Sequence, residues 1–163
     1  MASHNQETSQ TWHMQFASTA RCVSLVRTQV ERVLREWGHA PSGIETAVLV
    51  ASELATNAVV HGHFPSHLFE VGMTSADDIC LIEVSDSSPR PPEALKAGIN
   101  DESGRGLQLV RAVALCTGQR PRRPVGKTVW AKVRMSKPHS RVAAPARLHA
   151  TSRGAEAVEG RVP

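Results

Sequence analysis

The chain has 163 residues, enough for one domain with a real core. Its formal net charge is +4, but most of that excess lies beyond residue 136, where Lys137, Arg141, Arg147, Arg153 and Arg161 face only Glu156 and Glu159. The body is therefore nearly neutral. Tyr is absent and aromatics make up only 4% of residues, which argues against a basic face or a base-stacking platform for nucleic acid.

Cys22, Cys80 and Cys116 stand apart in apolar surroundings, with no CxxC pair or zinc spacing. They read as small core residues of a protein in a reducing compartment. Met1 to Gln10 is polar, without the apolar stretch of a signal peptide. No apolar run suggests a bilayer span. The expectation is a cytoplasmic protein that binds neither membrane nor nucleic acid directly.

Residues 1–11 are polar and are expected to be a disordered N-terminus. Trp12, Met14 and Phe16 alternate with polar residues, which predicts a strand over 12–17. Ser18 or Thr19 can cap a helix to about Trp37, its apolar positions Val23, Val26, Val30, Val33 and Leu34 keeping helical spacing and Gly38 ending it. A second helix is predicted from Pro41 or Ser42 to His61. Strands follow at 68–73 and 79–85, joined by an Ala76-Asp77-Asp78 turn into an antiparallel hairpin.

From Ser87 to Gly104 no apolar period survives, and Pro89, Pro91 and Pro92 interrupt the chain; a loop of this length is usually functional. A helix is predicted over 107–115, then a polar connector over 117–123 and an alternating strand over 128–133. Residues 136–163 lack an apolar pattern and read as a disordered basic tail, leaving 12–135 as the domain. The element order implies an α+β fold, helices covering one face of a sheet.

The second helix carries the most informative stretch. Glu53, Asn57 and His61 are four residues apart and share a stripe about 80° wide at roughly 100° per residue. Ile44, Ala47, Val48, Ala51, Leu54, Ala55, Ala58 and Val59 fall on another arc. The helix can thus bury its apolar side and still aim a carboxylate and a carboxamide at one cavity. Glu can accept a proton, and the neutral Asn carbonyl suits a hydrated Mg²⁺ ion that also binds phosphate oxygens; three such residues alone equally describe a solvated helix face.

Three further features follow. Asp86 ends an apolar strand, where its carboxylate can accept from an exocyclic amine such as that of adenine, or simply start a turn. Gly104-Arg105-Gly106-Leu107 opens a helix, where close backbone approach and free N–H groups suit an anion. Gly126-Lys127-Thr128 precedes the last strand and is weak alone, lacking the rest of a P-loop.

Taken in order, Glu53-x-x-x-Asn57-x-x-x-His61, Asp86, Gly104-Arg105-Gly106-Leu107 and Gly126-Lys127-Thr128 resemble the four nucleotide-binding boxes of the GHKL ATPase superfamily. The likeness is strongest to bacterial anti-sigma-factor serine/threonine kinases of the RsbW and SpoIIAB type, including short actinobacterial regulators. It implies a Bergerat-type two-layer sandwich with a mixed, mostly antiparallel sheet, and binding of ATP with Mg²⁺. By resemblance, Glu53 is the general base and Asn57 the Mg²⁺ ligand. Asp86 binds the adenine amine and Thr128 supports the adenine side. Gly104, Arg105, Gly106 and Leu107 lie at the phosphates, under a lid formed by 87–103. His61 matches a position often His, with no role assigned. The implied partners are a STAS-domain anti-anti-sigma factor, a sigma factor and a second copy of the chain.

One departure stands out. The usual Asp-x-Gly-x-Gly box reads Asp86-Ser87-Ser88-Pro89-Arg90 here, without either glycine. Intact Glu53 and Asn57 favour a kinase; the lost glycines favour a non-catalytic module that binds nucleotide or sequesters a partner.

Overall fold

The computed structural model describes residues 9–61, 67–87 and 102–135. In chain order the elements are β1 (Gln10–Ala17), α1 (Ala20–Glu36), α2 (Pro41–His61), β2 (Leu68–Ala76), β3 (Ile79–Asp86), α3 (Glu102–Val113), β4 (Cys116–Pro121) and β5 (Lys127–Arg134). Residues 88–101 of the lid expected over 87–103 lie outside the described residues, as do residues 1–8, 62–66 and the expected tail from 136. β1 starts at Gln10, so regular structure begins ahead of the expected boundary at residue 12.

The strands form one five-stranded sheet in the order β1-β2-β3-β5-β4, and every pairing is antiparallel. Strand alternation builds the two faces. Val71, Val84 and Val129 form one cross-strand row, and Met73, Ile82 and Ala131 the next. All six are buried under the helices. The intervening rows form the opposite face of the sheet.

α2 is the centre of the helical layer, packing on α1, α3, β2, β3 and β5. Ile44, Ala47, Val50, Ala51, Leu54, Ala55 and Ala58 are buried along it, in line with the helical spacing. This helix is long and apolar enough to cross a bilayer, contrary to the expectation that no run reaches that length, but half of its apolar window is buried inside the domain. Its composition reflects contact with α1, α3 and the sheet.

α1 seats Val26, Val30, Val33 and Leu34. Thr19 occupies its N-cap position in extended conformation, without a side-chain cap bond. Gly38, at φ +78, ends the helix; its N–H and that of His39 bond back to the carbonyls of Arg35 and Leu34. At the other end of the domain Met135 is fully buried, and its N–H donates to the Asp78 carbonyl at 2.6 Å.

The main departure from the sequence-based expectation is β4. Residues 117–123 read as a polar connector, yet Cys116–Pro121 pairs along β5 as the sheet's edge strand. Thr117, Gly118, Gln119 and Arg120 show no apolar alternation because only one neighbour and half a face need covering. Gly118 is required there: a Cβ would overlap the Trp130 indole on β5.

Candidate active site

α2 presents Glu53 and Asn57 one turn apart, both half-buried, and ends on His61. The buried residues beside them fix the helix rotation, so the polar stripe is positioned by packing. Glu53 meets α3. A Cβ built on Gly106 would overlap Glu53 Oε2, so the Gly106 backbone lies directly against the carboxylate. Two of the sequence motifs are thereby brought into contact.

Gly104-Arg105-Gly106 does not precede the helix, as the sequence suggested. α3 already starts at Glu102, and the three residues belong to its first turns. Leu107 and Val110 are buried and anchor the helix, which lets the glycines adopt helical backbone. Leu107 thus serves packing. The first four N–H groups of any helix have no intrahelical carbonyl, and here they include those of Gly104 and Arg105. With the positive dipole end they suit an anion. Arg105 is exposed.

Asp86 ends β3 on the helix-covered face and is 3% exposed. Its register partner is Lys127, the first residue of β5, whose Nζ lies 3.8 Å from Asp86 Oδ2. Gly126 makes this approach possible. It sits at φ +111, and a Cβ there would overlap the Asp86 backbone carbonyl. The Arg122 N–H donates to the Gly126 carbonyl at 2.9 Å and closes the β4–β5 turn. α2 packs on β3 and β5, the strands that carry this acid and this lysine.

The structure does not bring Thr128 to Asp86. Thr128 is paired with Ser85, and the two hydroxyls bond at 2.8 Å. Strand alternation turns that row to the uncovered face, where Arg120 reaches across β5 to Glu83 at 2.6 Å. A cavity of about 530 Å³ lies there, lined in part by Glu70, Gly72, Glu83, Ser85, Arg120 and Thr128. A second, of about 180 Å³, is walled by Leu54, Leu107, Val110 and Trp130. Neither is lined by Glu53, Asn57 or Asp86. Lys127 stands in the Gly126-Lys127-Thr128 motif, but sequence reasoning gave it no role of its own. Val129, Ala131 and Val133 mark the core side of β5, and counting back by two reaches Lys127.

Among the described residues, no cluster of three or more His, Cys, Asp or Glu could enclose a metal ion. The donor expected from the resemblance is the Asn57 side-chain carbonyl. That fits Mg²⁺, which keeps several waters and takes its other ligands from substrate phosphates.

Residues 16–133, more than half of the chain, match the family model of the histidine kinase-like ATPase domain. The chain belongs to this family. Among solved structures, the ATPase domain is similar to the RsbU and RsbW domains of Rv1364c from Mycobacterium tuberculosis. The TM-score is 0.59, with 22% identity, and the match covers 79% of this chain. It spans 33% of that chain, about a third of its length. At this identity the likeness is one of fold, and the five-stranded antiparallel sheet under α1, α2 and α3 is that fold. No match was found among curated proteins. In this ATPase domain Glu53 meets the start of α3, Asp86 pairs with Lys127, and α2 packs against the elements of both.

Proposed function

We propose that this ATPase domain binds ATP with Mg²⁺ in the cytoplasm and phosphorylates a serine or threonine of a STAS-type anti-anti-sigma factor, and that it sequesters a sigma factor. The observation that carries the reading is the contact of Gly106 with the Glu53 carboxylate. It sets a proton acceptor beside a helix start whose free N–H groups suit phosphate.

In this reading Asp86 accepts from the adenine amine, and the first turn of α3 with Arg105 faces the phosphates. Asn57 would hold Mg²⁺, which would supply neutralisation of phosphate charge. Glu53 orients the partner hydroxyl and takes its proton as the new oxygen–phosphorus bond forms. The bond between the terminal phosphorus and the bridging oxygen breaks, and ADP leaves. Such transfer relies on positioning and charge stabilisation more than on covalent chemistry.

The test is transfer of labelled phosphate from ATP to a STAS partner captured from the source cell. Glu53→Gln keeps shape and hydrogen-bonding reach but removes the base. ATP binding is expected to survive while transfer falls roughly 10²-fold or more. A wild-type domain that binds ATP and the STAS protein tightly yet never phosphorylates it overturns the kinase reading. What would then stand is a non-catalytic sequestering module, a reading supported by Ser88 and Arg90 in place of the two glycines.

A further inference from the structure

We infer that the sheet face without helices holds a second small-molecule site, one for a phosphorylated sugar or polyol, in which Arg122 and Arg123 take the phosphate and Glu70 reads the hydroxyls. The inference is independent of the nucleotide reading, since Glu53, Asn57 and Asp86 do not line this cavity.

Burial points to the place. Among the described residues no helix covers this face, yet Ser85 is 9% exposed and Thr128 4%. Strand register puts Glu70, Ser85, Thr128 and Arg120 in one row across β2, β3, β5 and β4. Arg120 spans β5 to meet Glu83 at 2.6 Å and so helps to wall the hydroxyl pair. Gly72, the register partner of Glu83, puts no side chain into the middle. A Cβ there would meet only the Trp12 carbonyl, at 3.9 Å, so the space over β2 is open. The resulting cavity of about 530 Å³ falls within the roughly 300–1,000 Å³ of small-molecule sites.

The lining decides the ligand class. Arg120 is already met by Glu83. Arg122 and Arg123, from the β4–β5 turn, also line the cavity and have no carboxylate partner among the described residues. Two guanidinium forks on one side of a cavity suit a phosphate, which each can grip with paired N–H bonds. Glu70 is half-buried on β2 and has no cationic partner among the described residues. Its carboxylate only accepts, so it is met by the hydroxyls of a polyol and repels a bare anion. The Ser85–Thr128 pair uses one of its two hydroxyl hydrogens and leaves the other to donate. An acidic peptide would satisfy the arginines but set like charge against Glu70, and an apolar ligand would leave all these groups unmet. A phosphate at one end and hydroxyls at the other satisfy both. A free sugar phosphate and the ribose phosphate of a nucleotide share this chemistry.

The experiment is calorimetric binding of ribose 5-phosphate, with ribose, inorganic phosphate, AMP and an acidic peptide as comparisons. The proteins are the wild-type chain, Glu70→Gln and the double variant Arg122→Gln/Arg123→Gln, with melting temperature as the check on folding. The wild type is expected to bind ribose 5-phosphate more tightly than about 1 mM, and at least about tenfold more tightly than ribose or phosphate alone. Glu70→Gln should weaken ribose 5-phosphate by about tenfold without weakening inorganic phosphate, and the double variant should lose both. AMP that binds more tightly than ribose 5-phosphate and is weakened equally by Glu70→Gln makes a nucleotide the source; weaker AMP makes it a free sugar phosphate. No binding of ribose 5-phosphate at about 10 mM, unchanged affinity in the folded variants, or tighter binding of the acidic peptide overturns the inference.

Discussion

Gly106 shows how a missing side chain can define a site. The carboxylate of Glu53 occupies the volume a Cβ would take, so Gly106→Ala must push α3 from α2 or turn Glu53 aside. Alanine favours a helix interior over glycine by about 1 kcal/mol, so the folded state has a local gain to set against the clash. We therefore expect a modest change in melting temperature and, on the proposed kinase reading, a loss of phosphotransfer of at least about tenfold, because in that reading Glu53 is the base and a displacement of about 1 Å is costly. A variant with wild-type transfer would show that Glu53 and α3 do not act together. At this scale the sequence was partly legible. Periodicity alone grouped Glu53 with Asn57, since four-residue spacing is independent of tertiary contacts. The contact of Glu53 with Gly106 was not legible, because it arises from how two helices dock.

At the scale of elements, long-period signals were readable and edges were not. α2 follows its apolar spacing because its buried face packs on α1, α3 and the sheet. β4 escaped notice because an edge strand with Gly118 under Trp130 needs no alternating pattern. α3 starts earlier than expected because buried Leu107 and Val110 override two unfavourable glycines. The position of Thr128 follows from a register, and a one-residue difference in a strand exchanges faces. The Ser85–Thr128 hydroxyl bond is a structural feature of the uncovered face, both residues being buried. Thr128→Val should leave Ser85 without that partner and lower stability by about 1–3 kcal/mol, read from urea unfolding. ADP affinity should stay within about twofold, because the Ser85–Thr128 row faces away from Asp86. A tenfold loss of affinity with unchanged stability would put Thr128 in the pocket after all.

Among the described residues, the domain is a sheet with helices on one face only, and its three cysteines differ in burial. Cys80 lies in the core row with Ser75 and Val133, Cys22 is half-buried on α1, and Cys116 is exposed on the edge strand. The sequence grouped all three as core residues, and it could not separate them because Cys116 belongs to the strand that periodicity missed. Burial pushes the Cys80 thiol from 9.0 up to about 12, since desolvation penalises the thiolate. A group whose folded pKa is raised contributes stability that is fully present below its unfolded value. That contribution is lost as pH climbs from about 9 towards 12, because only the unfolded chain releases the proton there. Stability should therefore fall across this alkaline window, by up to about 1.4 kcal/mol per pH unit from this group. Cys80→Ala, less stable at pH 7 through its lost packing, should lack that component of the slope, so the gap between variant and wild type narrows as pH rises. In the same chain, a thiol reagent at pH 8 should modify Cys116 rapidly and reach Cys80 only in denaturant. Fast labelling of Cys80 in the folded wild type, or parallel alkaline slopes for the two proteins, would mean that the space between α2 and the centre of the sheet is open to water.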